Sequence, residues 1–303
     1  MSRWCSGARG VTVVKRITII ISVVLLTVLF GVLVNPPSAA VGGVPALALV
    51  FLVVFGIQGI GFVHAVINDT EHFYDLIGSL SFMGSIIAAA IISASLTLQG
   101  VLLVLMVMIW ACRLGSFLFI RVKEVGEDQR FRKIKASKLR FAVVWTLQGL
   151  WVSITSCAAL VAVVGGKPLD ELNLVGQVTI GVGVAVWLLG FITEVIADRQ
   201  KAIFRRDPSN KGAFIKTGLW ARSRHPNYWG EMVLWAGVAI VASPALVGVQ
   251  WLVWISPIFV YLLLTRLSGI PTLVQRAEST WGDDPEYRQY VANTPRLMPK
   301  FFT

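Results

Sequence analysis

Apolar runs of about twenty residues recur along almost the whole chain, and this leaves few folds open. Eight are read, at 17–34, 45–66, 76–98, 101–120, 141–164, 174–196, 228–247 and 251–267. A helix of about twenty residues crosses the roughly 30 Å hydrocarbon core of a bilayer. Inside that core every backbone N–H and C=O needs an internal partner, which a helix supplies. The expected fold class is therefore all-α: a polytopic transmembrane helix bundle of about eight spans, with seven possible. Composition agrees, since only 14% of the residues are charged, against about 25% in a soluble domain. Turn-forming pieces separate the runs, among them Asn35-Pro36-Pro37-Ser38, Asn68-Asp69-Thr70, Gly165-Gly166-Lys167-Pro168 and Ser243-Pro244. The first run follows Arg9, Lys15 and Arg16 as a signal peptide would. It is longer than a typical h-region and no clean small-residue cleavage site follows, so it reads as retained.

The net charge of +11 is distributed in a way that sets orientation. Four Lys/Arg precede the first run, eight follow the fourth, eight follow the sixth, and five lie from Arg266 onward; only Arg113 and Lys167 lie elsewhere. With eight spans these four groups share one face, which the positive-inside rule assigns to the cytoplasm together with both termini. The basic balance is thus a topology signal, and no nucleic-acid partner is expected. Cys5, Cys112 and Cys157 are scattered, and His64 and His72 are isolated, so neither a disulfide framework nor a metal centre is expected. No internal repeat or low-complexity segment is evident, and nothing specifies an oligomeric state. The chain reads as a single membrane domain, 1–303, whose portion 190–303 carries most of the polar chemistry.

That chemistry concentrates in Thr217-Gly-Leu-Trp-Ala-Arg-Ser-Arg-His-Pro-Asn-Tyr-Trp-Gly-Glu231. Arg222, Arg224, His225, Asn227, Tyr228 and Glu231 stand against the start of an apolar run. Polar side chains are costly there and usually functional. Pro226 suits a first helical turn, and a helix N-terminus flanked by arginines suits a phosphate. Upstream, Glu194 and Asp198 are four residues apart and share a helix face, with Arg205 two turns beyond Asp198. The arginines suit a diphosphate or 2′-phosphate, and the carboxylates suit ribose hydroxyls or an adenine amino group. A solvated cytoplasmic loop with an acidic pair is the alternative reading.

The ordered set Asp198-Arg-Gln-Lys, Phe204-Arg205, Pro208-Ser-Asn210-Lys211-Gly212, Gly218-Leu-Trp220, Ser223-Arg224-His225-Pro226-Asn227-Tyr228, Gly230-Glu231 and Trp235 resembles the steroid 5α-reductase C-terminal domain family. It looks most like the family's uncharacterised bacterial membrane-protein branch. Looser matches are Tyr74-Asp75 to Phe82, Arg113-Leu-Gly115, Arg121, Glu127-Asp128-Gln-Arg130-Phe131, Leu147-Gln148-Gly149, Arg266 to Pro271, and Tyr287, Tyr290, Pro295 and Pro299. The resemblance covers roughly 65–303. It implies a bacterial inner-membrane enzyme that uses NADPH to reduce a C=C bond conjugated to a ketone in a steroid or other lipophilic substrate taken from the bilayer. It also implies cofactor binding by residues resembling Asp198, Arg205, Asn227, Glu231 and Arg266. Glu194 stands where the family has asparagine. Trp110 replaces the family's tyrosine three residues before Arg113, and Ile270 and Val274 replace a histidine and a tyrosine.

An indole N–H donates a hydrogen bond but is no practical proton donor. Candidates to polarise the substrate carbonyl are therefore Asp75, Tyr74 and Glu71, although Asp75 reads equally as an acidic residue at a helix start. Arg113, in mid-span, requires a buried partner. Two rivals stand beside the reductase. Isoprenylcysteine carboxyl methyltransferases share an Arg-His-Pro-x-Tyr-x-Gly block close to 224–230 and bind S-adenosylmethionine, but their adjacent glutamate pair is missing after Arg266. A non-catalytic lipid-binding membrane protein is the other, consistent with Trp110.

Overall fold

The computed structural model describes residues 2–93, 95–125, 131, 134–166 and 171–300, the side chains of 2–12, 121 and 123–125 excepted. Glu127, Asp128, Arg130, Lys167 and Pro168, used in the sequence reading, lie outside the described residues, as does the Arg121 side chain. Ten α-helices occur among the described residues: α1 (Ser2–Val34), α2 (Ala46–Ile67), α3 (Tyr74–Ile92), α4 (Leu98–Val125), α5 (Lys138–Gly165), α6 (Leu174–Arg206), α7 (Pro226–Ala242), α8 (Ile255–Leu262), α9 (Gly269–Trp281) and α10 (Pro285–Asn293). The fold is the expected all-α polytopic bundle. Seven described stretches are long and apolar enough to cross a membrane: Val13–Val34, Ala46–Ile67, Tyr74–Ile92, Leu98–Ile120, Lys138–Gly165, Leu174–Arg206 and Gly248–Trp281. The other expected span, α7, has 17 residues, because Ser243-Pro244 turns the chain into a 3-10 segment before the expected end at 247.

The chain folds as two compact units, Met1–Leu174 with Ala242–Val253, and Val175–Val241 with Trp254–Thr303. In the first, α5 packs against α1, α2, α3 and α4. Its residues from Val152 to Val164 are all buried, as befits a helix surrounded by others. Ser153, Thr155, Ser156, Ala158, Ala159 and Ala162 keep it thin there. A two-residue hairpin pairs Ala40–Val41 with Val44–Pro45 between α1 and α2. Gly42 and Gly43 take φ of 59° and 81°, the left-handed pair that such a turn requires. Near the middle of α1, Arg16 donates to Ser137 Oγ at 3.0 Å, and Lys135 pairs with Glu71 at 2.6 Å. The part of α1 around Arg16, the α2–α3 turn and the start of α5 therefore lie close together in this unit.

In the second unit α6 has 33 residues, about 50 Å of helix, so its charged end extends past the hydrocarbon. Arg205 and Arg206 in the last turn suit the helix dipole, and Asn210 Nδ2 donates to Phe204 O at 3.1 Å. The expected run 251–267 is not one continuous α-helix: Gly248–Trp254 is a 3-10 segment and Leu263–Leu267 a π turn.

Candidate functional site

Glycines bring α6 and α7 together. A Cβ on Gly190 would meet Leu234 N at 2.4 Å and Gly230 O at 2.6 Å, and one on Gly230 would meet Gly190 O and Glu194 N, each at 2.7 Å. Gly183 and Gly237 repeat the arrangement one heptad away. Small residues let membrane helices approach at backbone distance. One turn beyond Gly190 this crossing buries Glu194, 2% exposed, and a further turn on it buries Asp198, 6% exposed. Asn227, in the first turn of α7, donates from Nδ2 to Asp198 Oδ1 at 3.1 Å. Asp198 and Asn227, both singled out in the sequence, thus form an acid–amide pair, with the buried Glu194 one turn back on α6. Glu231 is half-buried one turn further along α7.

The segment before α7 is fixed from several sides. The Trp220 indole donates to Ala197 O at 3.0 Å, and Leu219 N to Gln200 Oε1 at 3.0 Å. The Lys201 ammonium lies 4.5 Å from the centroid of a Trp220 ring, a cation–π distance. The tail holds the other side. Arg224 N donates to Pro295 O at 2.9 Å, Ser223 Oγ to Leu297 O at 2.7 Å, and Lys300 N to Arg222 O at 3.0 Å. Tyr290 Oη donates to Trp220 O at 2.7 Å, and burial pushes its phenol pKa up to about 12.

His225 is 8% exposed and stacks on Tyr228 with ring centroids 5.9 Å apart. Burial, then the charges of Lys201, Arg224 and Arg296, bring its pKa from 6.5 to about 3, so it is neutral at physiological pH. Arg224 Nε is buried and has no hydrogen-bond partner in the protein. Arg222 and Arg205 are exposed, as is Arg266 in the π turn. Gln200, Lys201 and Tyr290 entered the sequence reading only as part of the resemblance, with no role assigned, and Arg296 did not enter it. Lys201 lies one turn beyond Asp198 and was within reach of the helix-face argument. Arg296 had no such signal.

The three residues proposed for carbonyl polarisation lie together in the first unit. Glu71 is buried and paired with Lys135, whose ammonium also donates to Asp69 O at 3.3 Å. Tyr74 Oη donates to Val144 O at 3.2 Å, and Gln148 Nε2 donates to Tyr74 O at 3.2 Å. Asp75 stands in the first turn of α3, where its charge is favoured. Nearby, a cavity of about 330 Å³ is lined by Ile60, His64, Thr70, Phe73, Ile77 and Trp145, among others. Trp110 is buried, with Phe82 edge-on to it at 5.0 Å. Arg113 lies 5.3 Å from the Phe117 ring centroid.

Long apolar helices and a buried acid–amide cluster beside clustered cations define an integral membrane protein with a polar site at a helix crossing. Its family model matches residues 61–294, and the chain belongs to that family, described as a protein of unknown function (DUF1295). Among curated proteins it is similar to a probable O-methyltransferase, ustE, of Ustilaginoidea virens, with 26% identity over 105 residues. That match spans about a third of each, 35% of this chain and 35% of the relative. No solved structure matches the chain.

Proposed function

We propose that this protein is a membrane-embedded reductase that binds NADPH in its second unit and reduces a C=C bond conjugated to a ketone in a lipophilic substrate. The observation that carries the reading is Arg224 Nε, a buried charged donor without a protein acceptor, beside the Asp198–Asn227 cluster. Leaving such a donor unmet is costly, and a phosphate oxygen meets it. The residue types fit a dinucleotide: Arg205, Arg222 and Arg224 for phosphate, Glu194 and Asp198 for hydroxyl or amino groups, and Asn227 and Glu231 for an amide. Tyr228, His225 and Arg266 complete the proposed binding set. NADPH, when bound, supplies a hydride. The protein's part is to orient the carboxamide, exclude water and polarise the substrate carbonyl. Asp75 is the first candidate for that polarisation and Tyr74 the second, while the Lys135 pair makes Glu71 the least available. The apolar cavity beside α3 suits a lipophilic substrate in size.

Counting α7 as a crossing gives eight spans and places both termini and the loops 122–139 and 198–226 on the cytoplasmic side. The Arg16–Ser137 and Lys135–Glu71 contacts support this for the first unit. A second reading, methyl transfer from S-adenosylmethionine, is favoured by the description of the Ustilaginoidea virens relative. Equilibrium binding of NADPH, NADH and S-adenosylmethionine to purified protein decides between them. The reductase reading requires NADPH to bind and to be preferred over NADH. Tight S-adenosylmethionine binding with none to NADPH overturns it.

A further inference from the structure

The first unit buries polar atoms that the protein itself does not satisfy. Gln58 of α2 and Trp145 and Gln148 of α5 are 2%, 2% and 5% exposed. Gln58 Oε1, Gln148 Oε1 and Trp145 Nε1 have no hydrogen-bond partner in the protein. The other end of each amide is fixed. Gln58 Nε2 donates to Ser81 Oγ at 2.9 Å, and that hydroxyl donates onward to Ile77 O at 2.8 Å. Gln148 Nε2 donates to Tyr74 O at 3.2 Å. Both partners act as acceptors, so turning either amide over would set oxygen against oxygen or break the Ser81 bond. Two acceptors and one donor are left over, and buried groups of this kind are normally met by an ordered water or a ligand.

The same three helices line the apolar cavity. Gly61, Ile77 and Trp145 are among its walls, and they pack closely: a Cβ on Gly61 would meet Trp145 Cζ3 at 2.5 Å and Ile77 Cγ2 at 2.9 Å. Gln58, Ser81 and Gln148 follow these three wall residues by one helical turn on each helix, on the side away from the α2–α3 turn. Gln58 spans from α2 to Ser81 of α3, and its Cγ lies 3.5 Å from where a Cβ on Gly149, the neighbour of Gln148, would stand. A polar layer therefore follows the apolar walls on all three helices.

We propose that Gln58, Gln148 and Trp145 form a hydroxyl-binding site at the inner end of this cavity, filled by an oxygen that both donates and accepts. Such an oxygen donates to an amide oxygen and accepts from the indole. A ketone or ether oxygen only accepts, and leaves both glutamines unmet. Two sources share this chemistry, an ordered water and the hydroxyl of an amphiphilic alcohol. The cavity's volume of about 330 Å³ and its apolar walls suit the hydrocarbon part of such an alcohol, which is therefore the expected occupant. The site goes beyond the reductase reading and depends on no cofactor.

The test uses the full chain in phosphatidylcholine nanodiscs. A diazirine-bearing long-chain alcohol is photo-cross-linked to the protein, and labelling of α2, α3 and α5 peptides is read by mass spectrometry. Decan-1-ol and undecane, which differ by a hydroxyl in place of a methyl, compete at equal mole fraction in the bilayer. Decan-1-ol should compete about tenfold better, the scale of a buried polar group gaining its partner. Gln58→Leu and Gln148→Leu should each reduce that preference while leaving competition by undecane unchanged. Trp145→Phe keeps an aromatic side chain and removes the donor, so the same preference can be measured if either glutamine variant fails to fold. The second source is read by NMR of the glutamine side-chain amides without added alcohol. Cross-peaks from water to Gln58 and Gln148, with no preference for decan-1-ol, identify ordered water as the occupant. A parent with neither the alcohol preference nor the water cross-peaks overturns the site, as does a preference that survives all three substitutions.

Discussion

Replacing His225 tests the electrostatics of the site without any assumption about its ligand. Burial and the charges of Lys201, Arg224 and Arg296 bring its pKa from 6.5 to about 3 in the folded protein. The unfolded chain therefore takes up a proton on this residue before the folded one does, and stability falls with pH. The contribution is intact above the unfolded pKa, is lost progressively as pH falls from about 6.5 to about 3, and does not change further below that. Between about pH 7.5 and about pH 5 the loss from this group is about 2 kcal/mol. His225→Gln cannot titrate, so its unfolding temperature should decline less over that range than the parent's. The two proteins are compared by thermal unfolding in one detergent. The site is also read directly by NMR of histidine-labelled protein, which contains three histidines. The resonance missing from His225→Gln should stay neutral at about pH 5. If that resonance titrates near 6.5, His225 is neither as buried nor as closely surrounded by cations as described.

Four further outcomes follow from the geometry. Gly190→Leu should destabilise the second unit by about 3 kcal/mol, since its side chain meets backbone, and should abolish nucleotide binding by parting Asp198 from Asn227; unfolding and binding are both measured. Lys135→Met should cost about 3 kcal/mol by leaving the Glu71 carboxylate buried without this cation, and adding Glu71→Gln should recover most of that in thermal unfolding. Cysteines at positions 209 and 38 should label from opposite faces of sealed vesicles, and labelling from one face rules out the eight-span topology. Asp75→Asn should keep NADPH affinity while lowering turnover of an enone lipid about a hundredfold; parental turnover in a folded protein would make Asp75 a helix-start residue only.

The spans were legible because apolar length alone forces a helix across a bilayer. Their ends were less so. The run expected at 76–98 stops at Ile92, and α4 starts at Leu98, because Thr97 Oγ1 accepts from Gly100 N at 3.1 Å and begins a new helix. The division into two units was not legible, since apolar runs do not state which helix touches which. Its closest local sign was the seven-residue spacing of Gly183 and Gly190, and of Gly230 and Gly237. The site was half legible. Asp198 and Asn227 do meet, and Glu194 is buried one turn before Asp198 on the same helix. The partners of Glu71 and Tyr74, Lys135 and Val144 O, come from segments that no local pattern connects to them. Arg296 is remote from Arg224 in sequence and reaches the loop only through tail hydrogen bonds.

The choice between the two cofactors reduces to charge. NADPH brings a diphosphate and a 2′-phosphate, and guanidinium groups bind such oxygens in pairs. S-adenosylmethionine brings a sulfonium cation, an ammonium and one carboxylate, with no phosphate. On the proposed reading, the charges of Lys201, Arg224 and Arg296, all felt at His225, would oppose the sulfonium and favour the phosphates. The carboxylates Glu194 and Asp198 fit either cofactor, because both carry ribose hydroxyls and an adenine amino group. The acid–amide cluster therefore supports a nucleoside, and the cations support the phosphates attached to it. A methyltransferase built on this site would hold its methyl donor against like charge. For that reason Arg224→Gln with Arg296→Gln should weaken NADPH and, if S-adenosylmethionine binds at all, strengthen it. Equal weakening of both ligands would refute the charge argument.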